Sequence, residues 1–274
     1  TEQTNETSGS AYGLHLGWSG NHHVRVEEQF TGQAYAQLGE LFLPGEMLLE
    51  PGQAYKSPIL YGASTDKGLS TLSGSFHRHV RAKLTDKRIA NKIRPVHFNT
   101  WEAVYFDLSL DRLCVLAEHA REVGAERFVL DDGWFKNRKS DNAGLGDWAV
   151  DKTVFPAGLA PLIKHVHTND MEFGLWVEPE MVNPDSDLYR AHSDWVLNTQ
   201  PAPLLSARNQ LVLDLTRVEV QDYLFERLDA LLNKYPISYL KWDMNRAIHQ
   251  PGDQNGRAVG HKQTRSLYKL LARI

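Results

Sequence analysis

From Pro95 onward the chain alternates short apolar segments of strand length with longer amphipathic segments of helical period. Strands are predicted at residues 96–99, 127–130, 173–177 and 239–242. Helices are predicted at residues 109–123, 159–168, 216–233 and 262–274, with Ser109 or Asp111 capping the first and Thr216 capping the third. Strands that alternate with helices are typical of a parallel sheet, because parallel neighbours need a crossover connection. This part of the chain is therefore predicted to be an α/β domain.

A different pattern precedes Pro95. Short segments of β character at residues 14–16, 24–27 and 47–49 lie between turn signals such as Pro44-Gly45 and Pro51-Gly52. They predict the last strands of an antiparallel β-sandwich, over residues 1–66. Apolar residues at helical spacing over 69–84 predict one connecting helix, and the charged stretch 85–94 predicts a linker. Residues 67–94 are thus expected to join two domains.

The length of the α/β region limits its architecture. A complete (β/α)8 TIM barrel takes about 250 residues, whereas about 180 follow the linker. Residues 95–274 are therefore predicted to be the first half of a catalytic barrel. The fold class expected is α/β, a partial (β/α)8 TIM barrel preceded by the end of an antiparallel β-sandwich. The chain begins at Thr1 without a methionine, and we expect it to be a fragment of a longer protein.

Each predicted strand of the α/β region ends in polar or aromatic residues, at the end of the strand where barrels carry their chemistry. The strand ends are Asn99-Thr100-Trp101-Glu102, Asp131-Asp132-Gly133-Trp134, Trp176-Val177-Glu178-Pro179-Glu180 and Lys241-Trp242-Asp243-Met244-Asn245. Because side chains alternate along a strand, Lys241, Asp243 and Asn245 share one face. A carboxylate between a cation and an amide can stay ionised, as a carboxylate nucleophile requires. That segment alone also fits a buried ion pair, but four such strand ends indicate a functional site.

The adjacent pair Asp131-Asp132 leaves three roles open: metal binding, hydrogen bonding to sugar hydroxyls, or acid and base catalysis. No His or Cys stands at ligand spacing around the pair, so no metal is expected. With Trp101, Trp134 and Trp176 close to the same strand ends, carbohydrate is the most economical ligand.

Composition excludes several other classes of protein. The net charge of −4 argues against nucleic acid, which needs a concentrated basic patch. No window approaches the 18 or so nearly uncharged apolar residues of a membrane span. The sequence has no phosphate-binding glycine loop and no Gly-x-Ser-x-Gly elbow, and its single cysteine, Cys114, fits a helical core position. We expect no cofactor, no nucleic acid partner and no membrane partner.

The chain resembles glycoside hydrolase family 36, the retaining α-galactosidases, from about residue 12 to its end. The motifs that carry the resemblance are His97-Phe98-Asn99-Thr100-Trp101-Glu102-Ala103, Leu130-Asp131-Asp132-Gly133-Trp134-Phe135, Gly146-Asp147-Trp148, Phe173-Gly174-Leu175-Trp176-Val177-Glu178-Pro179-Glu180-Met181-Val182-Asn183-Pro184-Asp185-Ser186 and Lys241-Trp242-Asp243-Met244-Asn245-Arg246. The resemblance implies that the first region ends the family's N-terminal β-supersandwich and that the second begins its catalytic barrel.

The resemblance also implies roles for particular residues. Asp243 matches the nucleophile that attacks the anomeric carbon, and Lys241 would bind sugar hydroxyls and help to keep Asp243 ionised. Asp131 and Asp132 match the pair that holds the 4- and 6-hydroxyls of galactose.

Four further residues match sugar contacts of the family. Trp101 and Trp176 correspond to aromatic walls of the pocket, and Asn245 to a polar contact from the nucleophile's strand. Arg208 corresponds to an arginine that reaches the sugar from an inserted segment, residues 195–215.

A retaining glycosidase needs a second carboxyl as acid/base, about 5–5.5 Å from the nucleophile. In the family this aspartate lies on a later barrel strand, after a Cys-Ser-Ser-Gly-Gly-Gly-like segment that this sequence lacks. The acid/base residue is therefore expected beyond residue 274. Neither Glu178 nor Asp214 is assigned to the role.

The activity implied is hydrolysis of terminal non-reducing α-D-galactose from α-galactosides of the melibiose and raffinose type, by double displacement. The full-length protein is expected to be a homo-oligomer, and its compartment is open, with the cytoplasm favoured. Three alternatives remain: an α-N-acetylgalactosaminidase, a galactosyl-transferring relative, or a carbohydrate-binding fragment without catalysis.

Overall fold

The computed structural model describes residues 3–274, which form two compact units, one up to Arg94 and one from Pro95. Each unit has its own pattern of hydrogen-bonded strands. Among the described residues, no helix combines the length and the apolar character that crossing a membrane requires.

The first unit contains two antiparallel strand pairs and a helix. Strand β1 (Ala11–Leu16) pairs with β4 (Leu60–Thr65), and β2 (His22–Glu28) pairs with β3 (Ala34–Glu40). Helix α1 (Gly68–His79) continues into a π-helical turn at Val80–Leu84, so the predicted helix over 69–84 is confirmed in extent. The segment predicted as a linker contains the short helix α2 (Lys87–Ala90).

One predicted strand of the first unit is wrong, and two observed strands are not predicted. Residues 47–49 form no strand, and Leu48 and Leu49 are exposed. The apolar run therefore does not indicate a hydrogen-bonded strand here. Strand β3 has small or polar residues on both of its faces, alanines on one and glutamine and glycine on the other, which weakens the period-two signal that identifies a strand. Strand β4 consists mainly of small and polar residues, which also weakens the period-two signal.

The second unit is built on a parallel sheet of four strands. The strands of this unit are β5 (His97–Asn99), β6 (Arg127–Leu130), β7 (Glu172–Val177), β8 (Met181–Val182), β9 (Leu211–Val212) and β10 (Tyr239–Trp242). The parallel sheet has the order β5–β6–β7–β10. The order of these four strands in the sheet is therefore their order along the chain. The short strands β8 and β9 form a separate antiparallel pair. The four predicted strands and the parallel sheet are confirmed.

The helices of the second unit are α3 (Trp101–Val104), α4 (Leu110–Glu122), α5 (Ala160–Thr168), α6 (Asp187–Ala191), α7 (Val218–Lys234) and α8 (Gly260–Arg273). The four long helices confirm the predicted ones to within two residues at either end. Helices α4, α5 and α7 bury one apolar face each, on residues such as Leu113, Leu162 and Leu224. Strands β6 and β7 are almost wholly buried, as central strands of a parallel sheet are.

The two predicted helix caps differ in outcome. Ser109 caps α4, because its hydroxyl accepts a hydrogen bond from the backbone N–H of Arg112. Thr216 does not cap α7, which begins two residues later with Arg217 at its N-cap. Both the backbone N–H and the hydroxyl of Thr216 donate instead to Asp214 Oδ1, at 3.0 and 2.6 Å. The turn closed by Asp214 therefore competes with the cap for Thr216.

Two long connections of the second unit depart from regular structure. The segment between β6 and α5 contains one isolated antiparallel bridge, between Phe135 and Val150. Strands predicted at 195–197 and 211–215 appear as a 3-10 turn at Ser193–Trp195, the two-residue strand β9, and one bridge between Val196 and Leu213. Both connections run towards the carboxyl ends of the parallel strands and supply side chains to the pocket there.

Candidate active site

A pocket of about 270 Å³ lies at the carboxyl ends of the parallel strands. Its lining comprises Trp101, Phe106, Asp131, Asp132, Arg138, Asp141, Trp176, Glu178, Arg208, Gln210, Lys241, Asp243 and Asn245. All eight site residues predicted from the sequence are among them. Seven of them reach the pocket because parallel strands place their carboxyl ends at one edge of the sheet, and Arg208 reaches it from a loop.

Asp243 lies directly after β10, and its backbone N–H donates to Val177 O at 2.8 Å, which extends the pairing of β10 with β7 by one residue. Its Oδ2 accepts hydrogen bonds from Trp176 Nε1 at 2.9 Å and Asn245 Nδ2 at 2.8 Å. Its Oδ1 accepts from the backbone N–H of Met244 at 2.9 Å. The carboxylate is thus fixed by three donors.

These contacts determine the charge state of Asp243. Burial acts to raise its pKa, but the hydrogen bonds from Trp176, Asn245 and the Met244 backbone, together with the positive charge of Lys241, outweigh burial and hold the pKa below its ordinary value. The side chain is therefore an ionised carboxylate at neutral pH. Lys241 acts on it through charge and less strongly than the hydrogen bonds do.

Lys241 makes its direct ion pair with Asp131, at 2.7 Å between Nζ and Oδ2. The same carboxylate oxygen accepts from Asn99 Nδ2 at 2.6 Å, while the backbone N–H of Asp131 donates to Thr100 Oγ1 at 2.9 Å. Asp131 is 3% exposed, so these partners replace most of its hydration. The carboxylate joins the ends of three strands, β5, β6 and β10.

Asp132 points to a different cation, the buried Arg138. Arg138 Nε donates to Asp132 Oδ1 at 2.9 Å, and Arg138 Nη2 donates to Asp132 Oδ2 at 2.8 Å, in a bidentate pair. Burial raises the pKa of Asp132, and the bonds from Arg138 oppose that effect. The following Gly133 adopts φ of +105°, a left-handed conformation that favours glycine and turns the chain away after the two carboxylates.

The aromatic residues of the site only partly match the prediction. Trp101 and Trp176 line the pocket, and the Trp176 indole also donates its N–H to Asp243. Trp134 does not reach the pocket, because its side chain is fully buried and its Nε1 donates to Trp176 O at 2.9 Å. Phe106, which packs edge-on against Trp101 with ring centroids 5.1 Å apart, takes a place on the pocket wall.

Arg208 lies in a tight turn whose ends, Ala207 and Gln210, exchange two backbone hydrogen bonds of 3.2 and 3.0 Å. Arg208 and Asn209 both have positive φ, of 53° and 59°. Two successive left-handed residues are the backbone of a type I′ turn, which suits asparagine but is uncommon for arginine. The turn places Arg208 on the pocket wall.

Five lining residues were not assigned from the sequence: Phe106, Arg138, Asp141, Glu178 and Gln210. Four lie in loops, whose course no hydrophobic period specifies. Glu178 follows β7, and its position among the strand ends was a usable signal. It is 1% exposed, its Oε1 accepts from the Asn245 backbone N–H at 2.6 Å, and its Oε2 accepts from Gln210 Nε2 at 3.0 Å. Burial raises the pKa of Glu178.

Within residues 3–274, no three His, Cys, Asp or Glu side chains come together in a group that could hold a metal ion. The polar groups of the pocket pair instead with one another. Two carboxylates with separate cations, one ionised carboxylate with three donors, and aromatic faces are the groups that bind and orient a polyhydroxylated ring. The arrangement is typical of a glycoside-binding site in an α/β protein.

Comparison with known proteins agrees with this class. The family model described as melibiase matches residues 54–274, and the glycosyl hydrolase family 36 N-terminal domain model matches residues 1–50. The α-galactosidase of Escherichia coli is 45% identical over 266 residues, which cover 97% of this chain and 37% of that protein. The α-galactosidase AgaA of Geobacillus stearothermophilus is 38% identical over 278 residues, which cover 100% of this chain and 38% of that protein.

Solved structures give the same result. The crystal structure of AgaA from G. stearothermophilus superposes with a TM-score of 0.93 at 38% identity, covering 100% of this chain and 39% of that one. A variant of the same enzyme in complex with raffinose has a TM-score of 0.93 at 37% identity, covering 99% and 39% of the two chains. The chain belongs to glycoside hydrolase family 36, the melibiase family. It spans less than two fifths of the length of these relatives.

Proposed function

We propose that the full-length protein carrying this chain is a retaining α-galactosidase. It removes terminal non-reducing α-D-galactose from α-galactosides of the melibiose and raffinose type. The observation that carries the proposal is the environment of Asp243, an ionised carboxylate held by Trp176 and Asn245 at the carboxyl end of β10. Family membership and the raffinose bound to the AgaA variant support the substrate class.

The fold proposed for the full-length protein extends the units described above. Residues 95–274 are the first half of a (β/α)8 catalytic barrel, residues 1–66 end the N-terminal β-supersandwich, and residues 67–94 connect them. The sheet order β5–β6–β7–β10 supports the barrel, since each strand is added beside the preceding one as in a barrel wall. The high TM-scores to complete family 36 enzymes support the same arrangement.

In the proposed mechanism, Asp243 is the nucleophile. One of its carboxylate oxygens forms a bond to the anomeric carbon as the glycosidic bond breaks, and the leaving oxygen takes a proton from the acid/base carboxyl. Water then attacks the galactosyl–enzyme ester, returns a proton to that carboxyl, and releases galactose and free Asp243. We propose that the acid/base group lies beyond residue 274.

The remaining lining residues are proposed to hold the sugar. Asp131 and Asp132 accept hydrogen bonds from the 4- and 6-hydroxyls. Their ion pairs with Lys241 and Arg138 support this role, because both carboxylates keep acceptor capacity while their charges are balanced. Lys241 itself donates to hydroxyls.

Four further contacts complete the proposed sugar site. Trp101 and Trp176 form aromatic walls, and Arg208 and Asn245 supply polar contacts. Their presence on the lining of one pocket with Asp243 supports these assignments.

We also propose that the full-length protein is a homo-oligomer. Size-exclusion chromatography with light scattering measures its oligomeric state.

The test of the nucleophile is Asp243→Asn in the full-length protein. Turnover of an aryl α-galactoside is expected to be abolished while the thermal midpoint is retained, because the amide keeps the shape but loses the nucleophilic charge. Asp111→Asn, which changes an exposed carboxylate on α4, is the matched control and is expected to keep full turnover. Near-normal turnover of Asp243→Asn would rule out the assignment.

A parallel assay with an aryl α-N-acetylgalactosaminide addresses the substrate. Preference for that compound over the α-galactoside would overturn the galactose assignment while leaving Asp243 as the nucleophile. Galactosyl transfer to an added sugar acceptor, measured in the same reactions, separates hydrolysis from transfer.

A further inference from the structure

Asn183 follows strand β8 and is completely buried, and every hydrogen-bonding position of its side chain is filled. Its Oδ1 accepts from Arg138 Nη1 at 2.9 Å and from the Leu145 backbone N–H at 2.9 Å. Its Nδ2 donates to Asp141 O at 3.1 Å and to Asn209 O at 2.7 Å. An amide is the only neutral side chain with two donor hydrogens and an oxygen that accepts twice.

The acceptor side of Asn183 leads to one wall of the pocket. Arg138, which it holds, makes the bidentate pair with Asp132 and donates a further hydrogen bond to Ala143 O at 3.1 Å. The guanidinium is 2% exposed, so its orientation depends on these partners rather than on water. Displacing Arg138 would therefore displace the carboxylate of Asp132.

The donor side leads to a second part of the pocket lining, the turn that carries Arg208. Asn209 O belongs to the tight turn in which Arg208 and Asn209 both have positive φ. Asn209 Nδ2 also donates to Asn142 Oδ1 at 2.6 Å, so the turn has a second tether on the surface. A left-handed arginine persists only where surrounding contacts fix the backbone. The hydrogen bond from Asn183 is the less exposed of these two contacts.

We propose that Asn183 is a positioning residue that sets the relative placement of Asp132 and Arg208 in the pocket lining. Through one amide, it fixes both the Arg138–Asp132 pair and the Arg208 turn, although it does not line the pocket itself. The inference rests on the proposed function, in which Asp132 and Arg208 contact the sugar. Its consequence is that ligand recognition depends on a buried residue outside the pocket lining.

Asn183→Asp is the informative change, because it keeps the acceptor side and removes the donor side. The carboxylate still accepts from Arg138 and Leu145, but it faces two carbonyl oxygens without a hydrogen to share. The Arg208 turn and Asp141 O each lose their hydrogen bond from residue 183, while the Arg138–Asp132 pair keeps its own hydrogen bonds. In the full-length protein we expect kcat/KM for an aryl α-galactoside to fall by about 10- to 100-fold, the range that small misplacement of a binding group produces.

A double-mutant cycle with Arg208→Ala separates positioning from general structural damage. If Asn183 acts through Arg208, Asn183→Asp should reduce kcat/KM by less than about 3-fold once Arg208 is absent, because coupled residues are not additive. The same cycle is measured on the Kd for galactose by calorimetry. Asn169→Asp is the matched control: it also removes an amide bond to a carbonyl, His165 O, but at the end of α5 away from the pocket lining, and it is expected to leave kcat/KM unchanged.

Equal losses in the two backgrounds would overturn the proposal. If Asn183→Asp lowers the amount of folded protein, Asn142→Ala replaces it, since this exposed residue holds the same turn from outside. We expect Asn142→Ala to reduce kcat/KM by less than Asn183→Asp does, and to have no effect on kcat/KM once Arg208 is replaced by alanine. Additive effects of Asn142→Ala and Arg208→Ala on kcat/KM would also count against the proposal. If the wild-type protein binds galactose but does not turn over the α-galactoside, the proposed function is overturned. The double-mutant cycle measured on the Kd for galactose still tests the positioning role in that case. Protein that neither binds nor turns over would overturn both.

Discussion

The buried pair of Arg138 and Asp132 allows stability and activity to be separated. Replacing Arg138 with methionine keeps an unbranched side chain of similar length and removes five hydrogen bonds, of which three go to Asp132, one to Ala143 O and one to Asn183 Oδ1. The side chains of Arg138 and Asp132 are only 2% and 8% exposed, so water cannot take over the lost contacts. Arg138→Met therefore leaves an uncompensated charge in the interior.

Removing one partner of a buried ion pair costs about 3–5 kcal/mol. We therefore expect Arg138→Met to lower the free energy of unfolding by about this amount at pH 7 and to lower the thermal midpoint with it. Turnover of an aryl α-galactoside is expected to fall as well, since Asp132 loses the group that orients it. Circular dichroism melts and steady-state kinetics on the full-length protein measure the two effects.

The loss of stability should depend on pH with a defined sign. Burial already raises the pKa of Asp132, and without Arg138 nothing of comparable strength opposes burial, so the folded-state pKa lies above the unfolded-state value. A group with a raised pKa stabilises the fold below its unfolded-state pKa and loses that contribution as pH rises through the folded-state value. The difference in stability between Arg138→Met and the wild type should therefore become smaller as pH falls from 7 towards 4.

A second substitution provides the control. Adding Asp132→Leu to Arg138→Met removes the unpaired carboxylate, and replacing a buried pair with apolar residues is often neutral for stability. The double variant should regain thermal midpoint without regaining turnover. The reasoning would be refuted if Arg138→Met had the thermal midpoint of the wild type at pH 7. It would also be refuted if the difference in stability between the two became larger at lower pH.

Three further predictions concern the strand end of Asp243 and a helix cap. Trp176→Phe removes a donor to Asp243, so the pKa of that carboxyl should rise and the acidic limb of the kcat/KM profile should move to higher pH; an unmoved limb would contradict the assigned bond. Lys241→Met leaves Asp131 without its ion pair and should raise KM for the galactoside more than Lys241→Arg does, as initial rates will show. Ser109→Ala removes the cap of α4 and should cost about 1 kcal/mol of stability without changing kcat/KM, measured by denaturant titration and kinetics.

The parallel sheet and the strand ends follow from the sequence because both depend on local patterns. Buried runs such as residues 127–130 and 173–177 have no alternation, and each is followed within three residues by two acids. Once the strands are parallel, topology alone brings their carboxyl ends together. For that reason the predicted residues at the strand ends meet in one pocket, although Asp131 and Lys241 are 110 positions apart in the chain; Arg208 reaches the same pocket from a loop.

The partners of each residue do not follow in the same way, since they depend on loops. Arg138 lies in the connection between β6 and α5, where no hydrophobic period specifies a path, and its contact with Asp132 needs that loop to fold back. Trp134 shows the converse error: it lies two residues after Asp132 in the chain, yet it is fully buried in the core. Proximity in sequence to a strand end therefore predicts the location of the site but not which side chains face it.

Asp131 and Asp132 show why this distinction matters for function. As neighbours in the sequence they suggest one acidic pair with one role, but consecutive residues at a strand end face different surroundings. Asp131 joins the network of Asn99 and Lys241, whereas Asp132 faces Arg138. The two carboxylates are thus balanced by cations from β10 and from a loop, and substitution of either cation should act mainly on its own carboxylate. A variant of Lys241 should leave the Arg138–Asp132 pair intact, so the contribution of each carboxylate to binding galactose can be measured separately.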